Sequence, residues 1–195
     1  MNYLTVTASD LSAAKAISIT DGGNMVDITI RKALPEDANI YTDCLISCWQ
    51  SAYKGIVPDE YLESMIKERD QRVGRFKKVF TNPGDCEYYC VMNAENMIGF
   101  LTINKSRCAD SSYIGEIWAI YLIEEFCGKG FGKDLLDFEI QELRRVEPKE
   151  IFLWVFEDNK RARRFYEKNN FRFDGTTREV KYGMPLIQFR YVLCT

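Results

Sequence analysis

The sequence predicts a mixed α/β fold in which helices flank one central sheet. Apolar runs at residues 113–122 and 151–155 are typical of buried strands, and the 195-residue chain is 46% hydrophobic. The segment between these runs carries an apolar stripe at helical spacing, formed by Leu135, Leu136, Phe138, Ile140 and Leu143. Strands and helices therefore alternate along the chain, as they do in a mixed α/β sheet.

The first half of the chain predicts a strand, two helical regions and two more strands. The first strand covers residues 28–32, and Pro35 then opens a helix that runs toward Tyr53, with acidic residues near its N-terminus. After a break, a second helical region covers residues 59–78. Strands at 87–92 and 97–105 follow, joined by turn residues.

The second half repeats the pattern of strand, loop and helix. The strand at 113–122 leads into a glycine-rich segment and the striped helix, and the strand at 151–155 leads into a helix that begins near Asn159. Closing strands are predicted near residues 171–174 and 186–193. Asn170 follows the last helix, where asparagine tolerates the left-handed conformation that ends many helices.

One domain is predicted over residues 25–195, because no low-complexity or linker-like segment divides this stretch. Residues 1–24 form an N-terminal appendage, with an alternating segment at residues 3–7 and a Gly22-Gly23 pair. Three interpretations of this appendage stay open: an arm packed on a partner subunit, a leader segment, or the product of an upstream start codon.

The segment EFCGKGFGK at residues 125–133 places three alternating glycines between a strand and a helix. Such a loop builds a nest of backbone N–H groups in front of a helix N-terminus, which suits a pyrophosphate. Asp134 stands where a nucleotide-binding P-loop needs Ser or Thr, and Lys133 stands where a dinucleotide fingerprint needs glycine. The loop therefore indicates another phosphorylated ligand, and the alternative is a plain glycine-rich turn.

Together with the segment EDNKRARRFYEKNNF at residues 157–171, this loop resembles the GNAT superfamily of acetyl-CoA-dependent N-acetyltransferases. The resemblance covers roughly residues 28–193. It implies a central, mostly antiparallel mixed sheet that splays at the glycine-loop strand, with acetyl-CoA as co-substrate and no metal. The family's pyrophosphate motif falls on Cys127, Gly130 and Gly132, and Cys127 departs from the usual Gln or Arg that braces the loop.

The resemblance also implies a cofactor site and a proton donor. The backbone N–H of Leu122 would hold the thioester carbonyl, Asn159 would contact the cofactor arm, and Tyr166 would protonate the departing thiolate. Tyr166 can instead be a core aromatic residue. The full set of expected cofactor contacts is Ile120, Tyr121, Leu122, Cys127, Gly128, Lys129, Gly130, Phe131, Gly132, Lys133, Asn159, Ala162 and Tyr166.

Glu116 is the candidate general base, because it lies on the glycine-loop strand where some protein acetyltransferases of the superfamily carry a catalytic glutamate. Burial among apolar residues would raise the pKa of its carboxyl and suit it to accept a proton near neutral pH. The alternatives are that Glu116 points outward into solvent or pairs with a basic neighbour. Many family members use a water chain in place of a dedicated base.

Composition excludes several classes of function. The chain has no histidine, so Ser-His-Asp hydrolysis, Cys-His proteolysis and Cys/His zinc fingers are ruled out. Its seven cysteines are odd in number and lie in apolar segments, which favours a reducing compartment and buried thiols over a metal site. A net charge of −3 argues against a nucleic-acid-binding surface. Without a signal peptide or an apolar run of about 20 residues, a cytoplasmic protein with no membrane partner is expected.

The acceptor is the least defined part of the prediction. Trp49, Tyr53 and Tyr61 are expected to bind it, and an acidic protein with these aromatic residues suits a small cationic amine. Glu116 favours the alternative of a protein N-terminus or lysine. A homodimer is compatible with the sequence. The alternative to an enzyme is a non-catalytic regulatory module that binds acetyl-CoA. Tyr166 would have no evident purpose in such a module.

Overall fold

The computed structural model describes residues 15–21, 24–110 and 112–194. The strands are β1 (Lys15–Asp21), β2 (Asn24–Lys32), β3 (Cys86–Asn93), β4 (Asn96–Arg107), β5 (Tyr113–Leu122), β6 (Ile151–Phe156), β7 (Phe171–Tyr182) and β8 (Met184–Leu193). The helices are α1 (Ala38–Ala52), α2 (Asp59–Lys67), α3 (Arg69–Thr81), α4 (Phe131–Arg144) and α5 (Lys160–Lys168). Short 3₁₀ turns at Pro35–Asp37 and Glu124–Phe126 precede α1 and α4.

The strands form one sheet in the order β1-β2-β3-β4-β5-β6-β8-β7. Every neighbouring pair is antiparallel except β5 and β6, which are parallel. The α4 helix provides the crossover that a parallel pair requires. The predicted mixed α/β fold, with its mostly antiparallel sheet, is therefore confirmed.

The two faces of the sheet carry separate apolar layers. Along β3, Tyr89 and Val91 are buried in the layer under α4, whereas Cys90 and Met92 are buried in the layer under α1 and α3. Leu135 and Leu143 of α4 belong to the first layer and are fully buried. In the second layer, the Tyr41 ring packs 4.8 Å from Phe76 and 5.0 Å from Phe100, centroid to centroid. A third cluster joins α1 and α2 to the ends of β6 and β8.

Two elements in the first half of the chain differ from the sequence prediction. The strand predicted at 28–32 begins earlier, at Asn24, because it pairs with β1 along residues 15–21. The single helical region predicted over 59–78 is two helices separated at Glu68. The helix predicted to run toward Tyr53 ends at Ala52, and Tyr53 caps it. Asn170 has a φ of 64° after α5, which confirms the left-handed conformation predicted there.

The prediction that β7 stops at residue 174 was wrong, because the strand continues to Tyr182. The register shifts between Phe173 and Thr177, and Gly175 in this stretch has a φ of +91°. Asp174 accepts a hydrogen bond from the Thr176 backbone N–H at 2.8 Å, in the manner of a turn. The sequence signal of a turn therefore marks a bulge inside one long strand.

The N-terminal appendage falls partly outside the described residues. Residues 15–21 form β1, an edge strand that pairs with residues 24–30 of β2. The alternating segment predicted at residues 3–7 and the Gly22-Gly23 pair lie outside the described residues. The predicted domain boundary at residue 25 thus lies inside a strand pair that belongs to the main sheet.

Candidate functional site

The site begins where the two parallel strands separate. Strands β5 and β6 pair over only three residues each, Gly115–Ile117 of β5 with Ile151–Leu153 of β6. Beyond these residues the two strands diverge. The strands diverge at a β-bulge in β5. Thr102 of β4 pairs with Ala119, and the next residue, Ile103, pairs with Ile117. Trp118 is therefore the extra, unpaired residue of the bulge. The rest of β5 follows β4 away from β6. A cleft of about 860 Å³ opens between the diverging strands.

The end of β5 presents unpaired backbone N–H groups to this cleft. Ile123 donates its N–H to the Ile98 carbonyl oxygen of β4, at 2.9 Å. Because N–H groups of successive residues in a strand point to opposite edges, the Leu122 N–H points away from β4 and toward the cleft. Ile120, Tyr121 and Leu122 all line the cleft. The expected donor to a thioester carbonyl therefore has the right orientation.

The glycine loop closes one end of the cleft. Gly128 has a φ of +80° and Gly130 a φ of +102°, conformations that are costly for residues with a side chain. The α4 helix begins directly after Gly130. The Lys133 N–H donates to the Gly130 carbonyl oxygen at 3.2 Å, whereas the N–H groups of Phe131 and Gly132 have no partner within the helix. These N–H groups and the positive end of the helix dipole suit a pyrophosphate. The Cys127 thiol donates to the Leu122 carbonyl oxygen at 3.6 Å, so the cysteine braces the loop itself.

Only some of the positively charged side chains near the glycine loop line the cleft. The Lys133 side chain lines the cleft and forms an ion pair with Asp137 on the next turn of α4. Lys129 does not line the cleft, and its ammonium lies 5.7 Å from the centroid of the Phe126 ring. The Phe131 side chain is fully buried in the core, so only the Phe131 backbone can contribute to binding. Lys160 and Arg161 of α5 line the cleft as well.

The α5 helix forms the opposite wall of the cleft. Its first residue follows Asn159, whose Oδ1 accepts the Ala162 backbone N–H at 3.0 Å and so caps the helix. Asn159 and Ala162 both line the cleft. Gly132 of α4 faces the Phe165 ring, and a Cβ atom on Gly132 would lie 3.4 Å from that ring. The cap and the small residue together set the width of the cleft between α4 and α5.

Tyr166 lies on the face of α5 that lines the cleft and packs against the core at the same time. Its hydroxyl makes no hydrogen bond within the described part of the chain. Burial raises the pKa of Tyr166, and the nearby Glu139 and Tyr53 raise it further. The phenol is therefore neutral at physiological pH and can donate a hydrogen bond to a thiolate. It gives up its proton less readily than the free phenol assumed from the sequence.

A second, smaller cavity of about 320 Å³ adjoins the cleft on the side of α1. Trp49, Tyr53 and Glu116 line it, together with residues from β6, β7 and β8. Tyr53 and Tyr121 line both cavities, and their hydroxyls are hydrogen-bonded to each other at the boundary. Tyr61, in contrast, lines neither cavity and packs its ring 5.3 Å from Tyr182 and 6.4 Å from Trp49. Tyr61 therefore supports the aromatic wall from behind.

Glu116 lies in the wall of the smaller cavity and is partly buried. Burial raises the pKa of its carboxyl, whereas a hydrogen bond from Trp118 and the positive charges of Arg178 and Arg190 oppose this rise. Within residues 15–21, 24–110 and 112–194, Glu116 forms no ion pair. A partly desolvated carboxylate without a counter-ion can accept a proton from a group in the cavity.

Comparison with known proteins identifies the family. The sequence pattern of the Acetyltransferase (GNAT) family matches residues 44–171, more than half of the chain. The chain belongs to the GNAT family of acetyltransferases. The relatives of this GNAT enzyme are named N-acetyltransferases, so it is an acyltransferase. The alternative prediction of a non-catalytic acetyl-CoA-binding module is therefore not supported.

Three relatives illustrate the similarity. YuaI of Bacillus subtilis, named an uncharacterized N-acetyltransferase, is 29% identical over 170 residues, which cover 81% of this chain and 93% of YuaI. The spermidine N(1)-acetyltransferase of Thermoplasma acidophilum is 26% identical over 157 residues, which cover 77% of this chain and 92% of the relative. The crystal structure of the PaiA N-acetyltransferase of T. acidophilum, in complex with coenzyme A, matches with a TM-score of 0.65 and 24% identity. That match covers 83% of this chain and 97% of PaiA.

The described residues offer neither a cluster of metal ligands nor a membrane-spanning helix. Across these ranges, no group of three or more Cys, Asp or Glu side chains is arranged to hold a metal ion. Among the described helices, none is long and apolar enough to cross a membrane.

Sequence reasoning missed the residues that β6, β7 and β8 contribute to the smaller cavity, namely Trp154, Phe156, Arg178, Tyr182 and Gln188. Arg178 and Tyr182 lie in the part of β7 that was not predicted as a strand, where most side chains are exposed. An alternating pattern at residues 178, 180 and 182 was the available signal, because these positions share one face of a strand.

Proposed function

We propose that this GNAT enzyme transfers the acetyl group of acetyl-CoA to a primary amine of a small molecule, by direct attack of the amine in a ternary complex. The observation that carries the proposal is the junction of two cavities at the gap between β5 and β6. One cavity has an amide-rich glycine loop at its end, and the other has a carboxylate and aromatic rings. A donor and an acceptor can therefore meet from opposite sides of the sheet.

The residues of the larger cleft fit acetyl-CoA. The backbone N–H groups at residues 128–133 and the cationic side chains of Lys133, Lys160 and Arg161 would hold the phosphates. The apolar wall formed by Ile120, Leu122 and Ala162 would contact the pantetheine arm, which has both apolar and amide groups. Acetyl-CoA supplies the thioester whose acetyl group is transferred.

Three groups of the chain would then act on the reacting atoms. The Glu116 carboxylate would take a proton from the amine, directly or through water, so that the neutral amine can attack. The Leu122 N–H would stabilise the negative charge that develops on the carbonyl oxygen. The Tyr166 hydroxyl would donate a hydrogen bond to the sulfur as it leaves.

The size of the smaller cavity supports a small acceptor. A volume of about 320 Å³ lies at the lower end of the range usual for small-molecule sites. Its aromatic wall is rigid, because the Trp49 ring packs 4.8 Å from Tyr53 and 5.3 Å from Tyr182. The T. acidophilum relative is named for spermidine, which is a small amine. A protein lysine or N-terminus remains an outcome that the experiment distinguishes.

The test is an assay of free-thiol release from acetyl-CoA with a panel of amines, amino acids and short peptides, with the N-acetyl product identified by mass spectrometry. We expect acceptor-dependent thiol release with at least one small amine and an acetylated nitrogen in the product. Transfer to peptides alone would replace the small-molecule proposal with protein acetylation. Absence of transfer to every acceptor, despite binding of CoA, would contradict the proposal.

A further inference from the structure

Arg178 projects from β7 into the acceptor cavity, and two contacts fix its orientation. Its Nε donates a hydrogen bond to Gln188 Oε1 at 2.8 Å, and Gln188 itself is buried. Its guanidinium carbon lies 4.2 Å from the centroid of the Trp154 ring, a cation–π contact. Both partners line the same cavity. The arginine is thus a preorganised part of the cavity wall.

Arg178 forms no direct ion pair with any residue that the structure describes. No carboxylate within the described ranges lies at ion-pair distance from it. Arg190, on the neighbouring strand β8, provides the contrast, because it forms ion pairs with Glu150 and with Asp174, the latter at 3.1 Å. Both arginines act electrostatically on Glu116, but only Arg178 lines the cavity. With Nε occupied by Gln188, the two terminal nitrogens of Arg178 keep their N–H donors available to a ligand.

We propose that the acceptor is a small zwitterion, in which the amine to be acetylated lies beside Glu116 and a carboxylate on the same molecule binds the terminal nitrogens of Arg178. This inference rests on the proposed function and narrows its substrate class to amino-acid-like molecules. The planar fork of an arginine matches the two oxygens of a carboxylate, and the stack on Trp154 holds that fork in one plane.

The charges of the cavity also disfavour a polycation. Glu116 and Arg178 carry opposite charges, so a zwitterion neutralises both, whereas a polyamine brings a second positive charge toward Arg178. The substrate class inferred for this enzyme therefore differs from spermidine, for which the T. acidophilum relative is named. Arg178 is the specificity-determining residue in this account.

The experiment compares each amino acid with its own carboxamide, which keeps the amine and the side chain but lacks the anion. Thiol release from acetyl-CoA is measured with the full-length enzyme, with polyamines as a third arm. We expect kcat/KM for the preferred amino acid to exceed that for its amide by about 10- to 100-fold, as for the loss of a charged hydrogen-bond pair. The Arg178→Gln variant should lower kcat/KM for the amino acid by a similar factor, mainly through KM. It should lower kcat/KM for the amide much less, because only the amino acid has a carboxylate that Arg178 can bind.

Arg172→Gln is the matched control, since Arg172 lies on the same strand but outside the cavity, and it should leave both acceptors unaffected. Arg178→Lys keeps the positive charge but lacks the planar pair of guanidinium nitrogens. It should retain part of the preference for the amino acid over its amide. Equal rates with amino acids and their amides would overturn the inference and leave the proposed function standing. So would faster transfer to polyamines at a rate that the Arg178→Gln substitution does not change. Failure of all small amines would overturn both.

Discussion

Replacing Glu139 with methionine tests whether the carboxyl group of this buried residue is protonated in the folded protein and makes stability depend on pH. Glu139 lies on α4 and is fully buried, and neither of its carboxylate oxygens has a hydrogen-bond partner in the described part of the chain. Burial raises the pKa of Glu139 well above its usual 4.5, and the Thr102 backbone, which approaches the carboxyl without forming a well-aligned hydrogen bond, only partly opposes this rise. The native protein therefore keeps this proton to a higher pH than the unfolded chain does, so Glu139 lowers stability as pH rises above its unfolded pKa.

The magnitude follows from the linkage between protonation and folding. Each pH unit between the unfolded and folded pKa values of Glu139 costs about 1.4 kcal/mol, so the cost grows by at most about 2.7 kcal/mol between pH 5 and pH 7. Methionine has a similar volume and no ionisation. We expect Glu139→Met to raise the free energy of unfolding, with a gain over wild type that grows with pH, by at most about 2.7 kcal/mol from pH 5 to pH 7.

Urea unfolding at pH 5, 6 and 7, followed by circular dichroism, measures this gain. Glu63→Met, at an exposed position of α2, is the control and should change stability by less than about 0.5 kcal/mol. A gain for Glu139→Met that is the same at every pH would refute the reasoning, because it would mean that Glu139 is ionised in the native state.

Three further predictions concern the site. Tyr166→Phe keeps the ring packing and should bind CoA normally while kcat falls about 100-fold, as for loss of a proton donor; unchanged turnover with a good acceptor would exclude this role. Glu116→Gln should lower kcat/KM near neutral pH, with the deficit shrinking at high pH where the amine is already neutral, and a deficit constant across the pH profile would count against a base. Gly130→Ala forces a side chain into a φ of +102° and should weaken CoA binding at least about 10-fold by calorimetry. The control Gly74→Ala, in open space on α3, should leave CoA binding unchanged and stabilise the helix by about 1 kcal/mol. Equal CoA affinity in Gly130→Ala would mean that the loop does not hold the phosphates.

Much of the fold was predictable because its signals are local. The apolar runs of β5 and β6, the stripe on α4 and the glycines between them each depend on nearby residues, and all three are found as predicted. Apart from Lys129 and Phe131, the expected site residues of the glycine loop and α5 come together around one cleft for the same reason. Their catalytic and binding roles stay predictions.

The rest of the site depends on contacts between distant segments. The exposed strand β7 has almost no hydrophobic pattern, yet its pairing with β8 brings Arg178 beside Gln188 and Trp154. The bulge at Trp118 arises from the register between β4 and β5, which no single segment encodes. Burial likewise decided the placement of Phe131, whose side chain joins the core although its neighbours in the loop line the cleft.

The central claim is that the cleft between β5 and β6 binds CoA through the backbone of the glycine loop. Titration of the ¹⁵N-labelled protein with CoA, followed by amide NMR, tests it residue by residue. We predict the largest shifts at the backbone amides of residues 128–133 and of Leu122, because the loop and the strand end that contain them border the cleft. Shifts confined to other segments, such as α2 and α3, or no shifts at all at saturating CoA, would contradict the account.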